Sequence, residues 1–289
     1  TTAYEIGVRL VGSEMCIRDR VSICHDLDYV LKIKNGTLSD KEIRRLGFKW
    51  SETLSNRSFL AVNGTLLTCK EAIKNGIANH LAGGTHHSHR DFGSGYCVFN
   101  DLAYASLHLI RNHQVKKILI FDTDVHQGDG TIDICNKYSS IYTCSIHSKS
   151  NFPYEKKQGW MDVSLASAIG DDEYLETLNK TLKLIHEQIT PDIVLYDAGV
   201  DVFSNDKLGN LQLSFDGIKK RDQLVLDHYK NKNIPIATVI GGGYSKDHAE
   251  LADRHSIIFD VALKYLKKKY DFSIICDEVY CAWYKLSLI

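Results

Sequence analysis

The chain has 289 residues, 44% of them hydrophobic and 25% charged, with a formal net charge of −1. This composition is ordinary for a globular domain, and the balanced charge lacks the basic excess that marks nucleic-acid binding. No apolar run approaches the roughly 20 residues that cross a bilayer, and none of the eight cysteines forms a CxxC pair. We therefore expect one domain, a cytoplasmic location with reduced cysteines, and neither a membrane nor a nucleic acid as partner.

Strand and helix signals alternate along the middle of the chain. In chain order they predict a helix over 101–111, strands over 117–121 and 141–146, a helix over 172–188, a strand over 193–196, a helix over 215–229, a strand over 234–240 and a helix over 246–268. This alternation is typical of a parallel sheet that helices cover on both faces. Residues 1–20 and 271–289 lack such patterns, so we place the domain at 21–270 and treat both ends as atypical segments.

Polar motifs follow three of the predicted strands directly. DTDVHQGDG begins at residue 122, DAGVD at residue 197 and GGGY at residue 241. In open parallel sheets, ligands bind outside the carboxyl ends of the strands, so these segments are expected to meet at one edge. The convergence predicts a functional site there more strongly than any one motif does.

Asp124 and His126 are two residues apart, and in extended backbone such side chains point to the same side. A carboxylate and an imidazole so placed can share one metal ion, with Asp201 of the next motif as the third ligand. Three protein ligands leave a position open for water and substrate, as catalytic zinc sites require. The alternative interpretation is a chance surface pair, and the convergence of the motifs favours the metal site.

Two adjacent histidines, His86 and His87, stand in the motif GGTHHSHRDFGSGY. Two buried imidazoles need partners, and Asp122 and Asp129 remain after the metal ligands are assigned. Each aspartate can accept a hydrogen bond from one imidazole and fix its tautomer. A histidine oriented in this way can take a proton from water and return it to a leaving amine. A surface loop is the alternative, and the sequence leaves open which aspartate pairs with which histidine.

Aromatic residues beside glycines complete the candidate site. Tyr244 follows three glycines and can donate a hydrogen bond to a developing oxyanion, although a packed tyrosine after a turn is the alternative. Gly95, Tyr96 and Phe152 are candidate walls of a channel for an aliphatic stem, although aromatic residues also serve as plain core.

Taken together, the motifs resemble the histone deacetylase family and the related bacterial acetoin-utilisation and acetylpolyamine amidohydrolase proteins. The motifs, in order, are GGTHH, GSGYCVFND, DTDVHQGDG, SIH, DAGVD, NDKLGNL and GGGY. The resemblance covers residues 25–266, and the glutamine of DVHQGDG is similar to the class IV and bacterial branch. It implies the arginase–deacetylase fold, a single α/β domain whose parallel sheet of about eight strands carries helices on both faces.

The resemblance also implies an activity and its cofactors. A zinc-dependent amide hydrolase would remove an acetyl or other acyl group from a lysine side chain or a small amine, with Fe²⁺ as the other candidate metal. Matched by position, the metal ligands are Asp124, His126 and Asp201. A structural potassium ion is implied as well, and its ligands would be Asp122, Asp124, His126, Ser145 and Ile146.

Further roles follow from the same resemblance. His87 matches the general base and acid, and Asp129 would orient it. His86, with Asp122 as its partner, matches a second histidine that acts electrostatically. Tyr244 matches the tyrosine that polarises the acyl carbonyl.

Two rival functions and one departure accompany this interpretation. A ureohydrolase with two manganese ions would need DxHxD and DxD patterns, but Gly128 stands two residues after His126 and DAGVD lacks the second spacing. A catalytically silent acyl-lysine-binding scaffold would lack a ligand, the base or the tyrosine, and all are present.

Family members begin with a strand and loop before the stretch at 25–30; residues 1–20 differ, so we expect an altered channel rim. The oligomeric state is left open.

Overall fold

The computed structural model describes residues 21–265, and a sheet of six parallel strands lies at their centre. In chain order the strands are β1 Ile77–Asn79, β2 Ile118–Asp122, β3 Ile141–Ser148, β4 Met161–Leu165, β5 Ile193–Asp197 and β6 Ile236–Val239. Their order across the sheet is β1-β6-β5-β2-β3-β4, and each pairing is parallel. The four predicted strands are present as β2, β3, β5 and β6.

The number of strands differs from the expected eight or so, since six segments pair within residues 21–265. The higher number comes from the family resemblance and not from apolar runs in this chain. The two strands that the sequence analysis missed lie at the edges of the sheet. β1 has three residues, and four of the five residues of β4 are partly or largely exposed. Neither strand therefore carries the continuous apolar run that marks a strand buried on both faces.

Helices connect the strands and cover the sheet. In the described part of the chain they are α1 Leu27–Asn35, α2 Asp40–Leu46, α3 Glu52–Asn75, α4 Asp101–Arg111, α5 Asp129–Cys135, α6 Asp171–Gln188, α7 Phe215–Lys230 and α8 His248–Leu263. The predicted helices correspond to α4, α6, α7 and α8, and α8 ends five residues before the predicted end at 268. Side-chain oxygens of Ser51, Asn100 and Ser214 cap α3, α4 and α7 by accepting first-turn N–H bonds.

The hydrophobic core lies on both faces of the sheet, because alternate residues of a strand point in opposite directions. On β2, Leu119 and Phe121 pack into one cluster with α6, α7 and α8. Ile118 and Ile120 pack into a second cluster with α1, α3 and α4. All four side chains are buried, which explains why β2 appears in the sequence as an uninterrupted apolar run.

Several other expectations can be compared only with residues 21–265. Within this range no helix is both long enough and apolar enough to cross a membrane. The cysteines of this range are buried and unpaired, and they are Cys24, Cys69, Cys97, Cys135 and Cys144. The segments 1–20 and 271–289, which the sequence analysis sets apart, lie outside the described residues, as does the predicted helical stretch 266–268.

Candidate functional site

The carboxyl ends of neighbouring strands bring the three predicted motifs together. β2 and β5 pair in register up to their last residues. The segments that follow these strands contact each other: the N–H of Val125 donates to Asp201 Oδ1 over 2.8 Å. The β6 motif joins them through Gly242, whose N–H donates to Asp124 Oδ2 over 2.7 Å. The predicted convergence at one edge of the sheet is therefore present.

Asp124, His126 and Asp201 form one buried cluster. Nδ1 of His126 lies 3.0 Å from Asp124 Oδ1 and 3.0 Å from Asp201 Oδ2. Burial and the nearby charge of Asp124 raise the pKa of Asp201 to about 7. Burial opposes the charged form of His126, but hydrogen bonds to both carboxylates outweigh it and raise the pKa of His126 to about 10. A carboxylic acid and an imidazolium that retain protons in this way, as Asp201 and His126 do, can exchange them for a divalent cation.

The side chains of this cluster fit a catalytic zinc site. Two carboxylates and one imidazole offer ligand atoms that lie within 4.8 Å of one another, and three protein ligands leave a position open. Gly242 keeps the space beside them clear, since a Cβ at this position would lie 2.6 Å from Asp124 Oδ2. A set that is rich in carboxylates also suits Fe²⁺.

A fully buried arginine, Arg221, forms hydrogen bonds to both backbone segments that carry these candidate ligands, the one after β2 and the one after β5. The guanidinium of Arg221 on α7 donates to the main-chain oxygens of Gly199 over 2.5 Å, Ala198 over 3.1 Å and Thr123 over 3.3 Å. Its charge is balanced by Asp222, 2.9 Å away. Arg221 could not be identified from the sequence, because nothing in the local sequence distinguishes a buried arginine from the exposed cations of an amphipathic helix.

The two adjacent histidines are buried, and each has its own aspartate. Nδ1 of His86 lies 2.7 Å from Asp122 Oδ2, and Nδ1 of His87 lies 2.6 Å from Asp129 Oδ1. The two Nε2 atoms lie 3.2 Å apart. The structure therefore answers the question of pairing that the sequence leaves open.

The two imidazoles differ in charge. Burial opposes protonation of His86, but Asp122 and Asp124 outweigh it and raise the pKa of His86 above its ordinary value. Burial and the charge of His86 together lower the pKa of His87 to about 4. At neutral pH His86 is consequently an imidazolium, while His87 is a neutral imidazole that can accept a proton.

Two ionisable residues to which the sequence analysis gives no role extend these pairs. Nε2 of His89 lies 3.1 Å from the second oxygen of Asp129. Asp197 Oδ2 lies 4.0 Å from His86 Nδ1, and among the described residues neither oxygen of Asp197 has a hydrogen-bond partner. Burial and the nearby Asp122 raise the pKa of Asp197 well above its ordinary value. The available signals were the position of Asp197 at a strand end and the spacing of His89 two residues after His87.

A cavity of about 350 Å³ adjoins the cluster of Asp124, His126 and Asp201, and all three predicted channel residues line it. Its lining includes Gly95, Tyr96, Phe152 and Tyr244 beside His87 and His126. The ring of Phe152 meets the ring of His87 edge-on, with 4.8 Å between their centroids. Gly95 allows the backbone to lie close to the His87 ring, because a Cβ at this position would lie 2.6 Å from His87 Cδ2.

Tyr244 lies at this cavity and is held through its backbone. Its N–H donates to Asp206 Oδ2 over 2.7 Å, and the same oxygen pairs with the buried Arg254 at 2.9 Å. Burial and the nearby charge of Asp201 raise the pKa of the Tyr244 phenol far above its ordinary value. The phenol therefore stays protonated and remains a hydrogen-bond donor.

Gln127, the glutamine of DVHQGDG, forms its side-chain hydrogen bonds with Lys157 and Asp162. Its amide accepts from the N–H of Lys157 over 2.8 Å and donates to the Lys157 carbonyl over 2.7 Å. The same Nε2 donates to Asp162 Oδ1 over 2.8 Å. Gln127 thereby anchors the segment that carries Phe152.

The residues of the expected potassium site lie on adjoining strands. Asp122 and Ser145 are register partners on β2 and β3, and both are buried, as is Ile146. Asp124 and His126 follow on the segment after β2. The potassium site itself stays a prediction.

Fold and site together define the class of this protein: a parallel α/β domain with a candidate metal centre at the carboxyl ends of its strands. Residues 4–257 match the histone deacetylase domain family. The chain therefore belongs to the histone deacetylase family.

Individual relatives agree with this assignment. The chain is 41% identical over 242 residues to an uncharacterised protein of Picosynechococcus, which covers 84% of this chain and 81% of that protein. It is 32% identical over 193 residues to Histone deacetylase 2 of Arabidopsis thaliana, covering 66% of this chain and 50% of the plant protein. The acetoin utilization protein AcuC of Staphylococcus aureus is 27% identical over 276 residues, covering 85% of this chain and 70% of AcuC.

Solved structures support the fold class. The crystal structure of an HDAC homologue from Aquifex aeolicus is similar with a TM-score of 0.73 and 24% sequence identity, covering 84% of this chain and 70% of that one. The same values hold for an HDAC homologue complexed with SAHA. The predicted arginase–deacetylase fold is confirmed.

Proposed function

We propose that this protein is a metal-dependent deacylase that hydrolyses the amide of an acylated lysine side chain or acylated small amine. One arrangement carries the proposal. A neutral imidazole, His87, and a protonated phenol, Tyr244, line the same cavity as the His126 side of the carboxylate–imidazole cluster. Membership of the histone deacetylase family and the names of the Arabidopsis and Staphylococcus relatives support it.

Asp124, His126 and Asp201 would hold the metal, and Zn²⁺ supplies a Lewis acid there when it is bound. His87 donates from Nδ1 to Asp129, so its Nε2 carries the lone pair that takes a proton from the attacking water. The water oxygen adds to the amide carbonyl, and the Tyr244 phenol donates a hydrogen bond to the developing oxyanion. His87 then gives its proton to the nitrogen as the C–N bond breaks, which releases a carboxylate and an amine.

The cavity suits the stem of the proposed substrate. Tyr96 and Phe152 provide aromatic surface on its walls, and aliphatic methylenes bind to such surface by the hydrophobic effect. A lysine side chain carries four methylenes between its backbone and its amide, which would place the amide at the inner end of the cavity.

The direct test is hydrolysis of a fluorogenic acetyl-lysine peptide by the purified, zinc-loaded protein. We expect turnover that a chelator abolishes and that added Zn²⁺ restores. Tyr244→Phe should lower kcat by about 10²–10³-fold, as loss of one oxyanion donor does in other hydrolases. Tyr138→Phe, which changes a partly buried tyrosine outside the cavity, is the matched control and should retain full activity. Absence of turnover in the loaded wild type would favour a silent binding scaffold.

Metal content separates the proposal from the ureohydrolase alternative. His86, Asp122 and Asp197 form a second group of potential ligands. This group shares no residue with Asp124, His126 and Asp201, so no carboxylate belongs to both groups and could bridge a pair of ions. We therefore expect elemental analysis of the active protein to find one zinc or iron ion per chain. Two manganese ions per chain, with hydrolysis of a guanidino substrate, would contradict the deacylase proposal.

A further inference from the structure

The hydrogen bonding around His87 continues beyond Asp129 to His89. His87 Nδ1 lies 2.6 Å from Asp129 Oδ1, and His89 Nε2 lies 3.1 Å from Asp129 Oδ2. One carboxylate is thus held at both oxygens by imidazoles. A carboxylate held at one oxygen can rotate about its terminal bond, whereas two bonds in different directions fix its plane. The orientation of His87 depends on that plane.

His89 is itself held from several sides. It is 5% exposed, and its Nδ1 lies 3.1 Å from Asp133 Oδ2. Asp129 and Asp133 stand one turn apart on α5, so the imidazole bridges two carboxylates of the same helix. The ring stacks on Phe92 with 4.4 Å between centroids and 22° between planes. Asp133 accepts a further hydrogen bond of 2.6 Å from Lys157. This bond connects His89 and its two carboxylates to the segment that Gln127 anchors.

The partners of His89 also explain its charge. Burial opposes protonation, but hydrogen bonds to Asp129 and Asp133 outweigh it and raise the pKa of His89 above its ordinary value. A protonated imidazole donates from both nitrogens, which matches the two carboxylate partners. Charge-assisted hydrogen bonds of this kind are about twice as strong as neutral ones.

We infer that His89 is a positioning residue for the reaction: it holds the Asp129 carboxylate so that Asp129 keeps the lone pair of His87 directed at the attacking water. The inference rests on the proposed function and adds a third member to the pair of His87 and Asp129. His89 does not touch the substrate, and it acts through Asp129.

Kinetics of two substitutions test the inference. His89→Phe removes both donors, and we expect kcat to fall about tenfold or more, in the range seen when outer partners of catalytic groups are lost, with KM unchanged. His89→Gln retains an N–H that can reach Asp129 Oδ2, and it should recover most of the lost kcat. His186→Phe, an exposed histidine on α6, is the matched control and should leave kcat unchanged.

A spectroscopic measurement distinguishes positioning from simple stabilisation of α5. The short Nδ1–H bond from His87 to Asp129 should give a proton resonance far downfield, identified by its absence in His87→Ala. His89→Phe should shift or broaden this resonance, and His89→Gln should preserve it. The resonance does not require turnover, so it tests the inference even if the wild type hydrolyses no acyl-lysine. An unchanged resonance and kcat in a folded His89→Phe protein would overturn the inference. So would a loss of kcat that merely follows a lowered melting temperature and is not rescued by His89→Gln.

Discussion

The inner and outer histidines of this site are neighbours in sequence, but one is positively charged and the other is neutral. The inner one, His86, is surrounded by carboxylates: Asp122 at 2.7 Å, Asp124 at 3.8 Å and Asp197 at 4.0 Å. The outer one, His87, has Asp129 alone, and Asp129 is shared with His89. The carboxylates around His86 hold a proton on the inner imidazole, while burial and the charge of His86 keep the outer imidazole neutral.

The charged groups around each histidine therefore set its charge. Both side chains are buried, and burial alone would lower the pKa of both. The difference arises because β2 and β5 place carboxylates behind His86, whereas the charge of His86 itself acts on His87 and opposes its protonation. One motif thereby provides a positively charged imidazole and a neutral imidazole from identical residues.

The strongest test of this comparison is to remove each imidazole separately. His87→Ala should lower kcat/KM by about 10²–10⁴-fold, the range for loss of a general base. His86→Ala should cost about 10–100-fold, since a group that supports the reacting centre has a smaller effect. Steady-state kinetics on an acetyl-lysine peptide measures both, with His186→Ala on the surface of α6 as control. A greater loss in His86→Ala would reverse the assignment.

The pH dependence of activity gives a smaller but more specific effect. The proposed mechanism requires neutral His87, whose pKa burial and the charge of His86 lower to about 4, so kcat/KM should rise as the pH increases through about 4 and be level by pH 6. An unperturbed histidine would place this rise near about 6.5. The charge of His86 is the second cause of the lowered pKa, so His86→Ala should move the rise to higher pH. His228→Gln on α7 should leave the profile in place.

The smallest effect concerns the stability of the metal-free protein. The folded state raises the pKa of Asp197 and so binds a proton that the unfolded chain releases near pH 4. The free energy of unfolding should therefore decrease as the pH rises above about 4, by up to about 1.4 kcal/mol for each unit of pKa shift. Asp197→Asn removes this ionisation, so its urea unfolding in chelator should depend less on pH than that of the wild type. Asp253→Asn, at an exposed position on α8, is the control and should show the same pH dependence as the wild type. If the free energy of unfolding of Asp197→Asn depended on pH as steeply as that of the wild type, the raised pKa of Asp197 would be contradicted.

The parts of the fold that could be predicted are those in which one strand or helix carries its own signal. β2 and β5 are buried on both faces and appear as apolar runs, and the polar residues after them mark the strand ends. The edge strand β4 alternates with exposed residues, and the long helix α3 has a weakly segregated apolar face. Neither element can be recognised without its packing partners.

The same distinction applies to the site. Asp124 and His126 could be identified because their spacing within one motif already places them together. The pairing of Asp129 with His87 and His89, and the burial of Asp197 behind His86, depend on contacts between distant segments. Such contacts arise from the register of β2 and β5 and from the path of one loop, which no local pattern encodes.

Arg221 has a consequence for how the proposed metal ion would be acquired and lost. Unlike the imidazoles and carboxylates above it, a guanidinium paired with Asp222 keeps its charge at every pH at which the protein folds. Its bonds to the carbonyls of Thr123, Ala198 and Gly199 use main-chain oxygens and none of the candidate ligand atoms, so we expect them to be the same with and without a bound cation. We therefore expect Arg221 to hold the candidate ligand segments in place before an ion binds, and loading and stripping of the ion should be reversible without refolding.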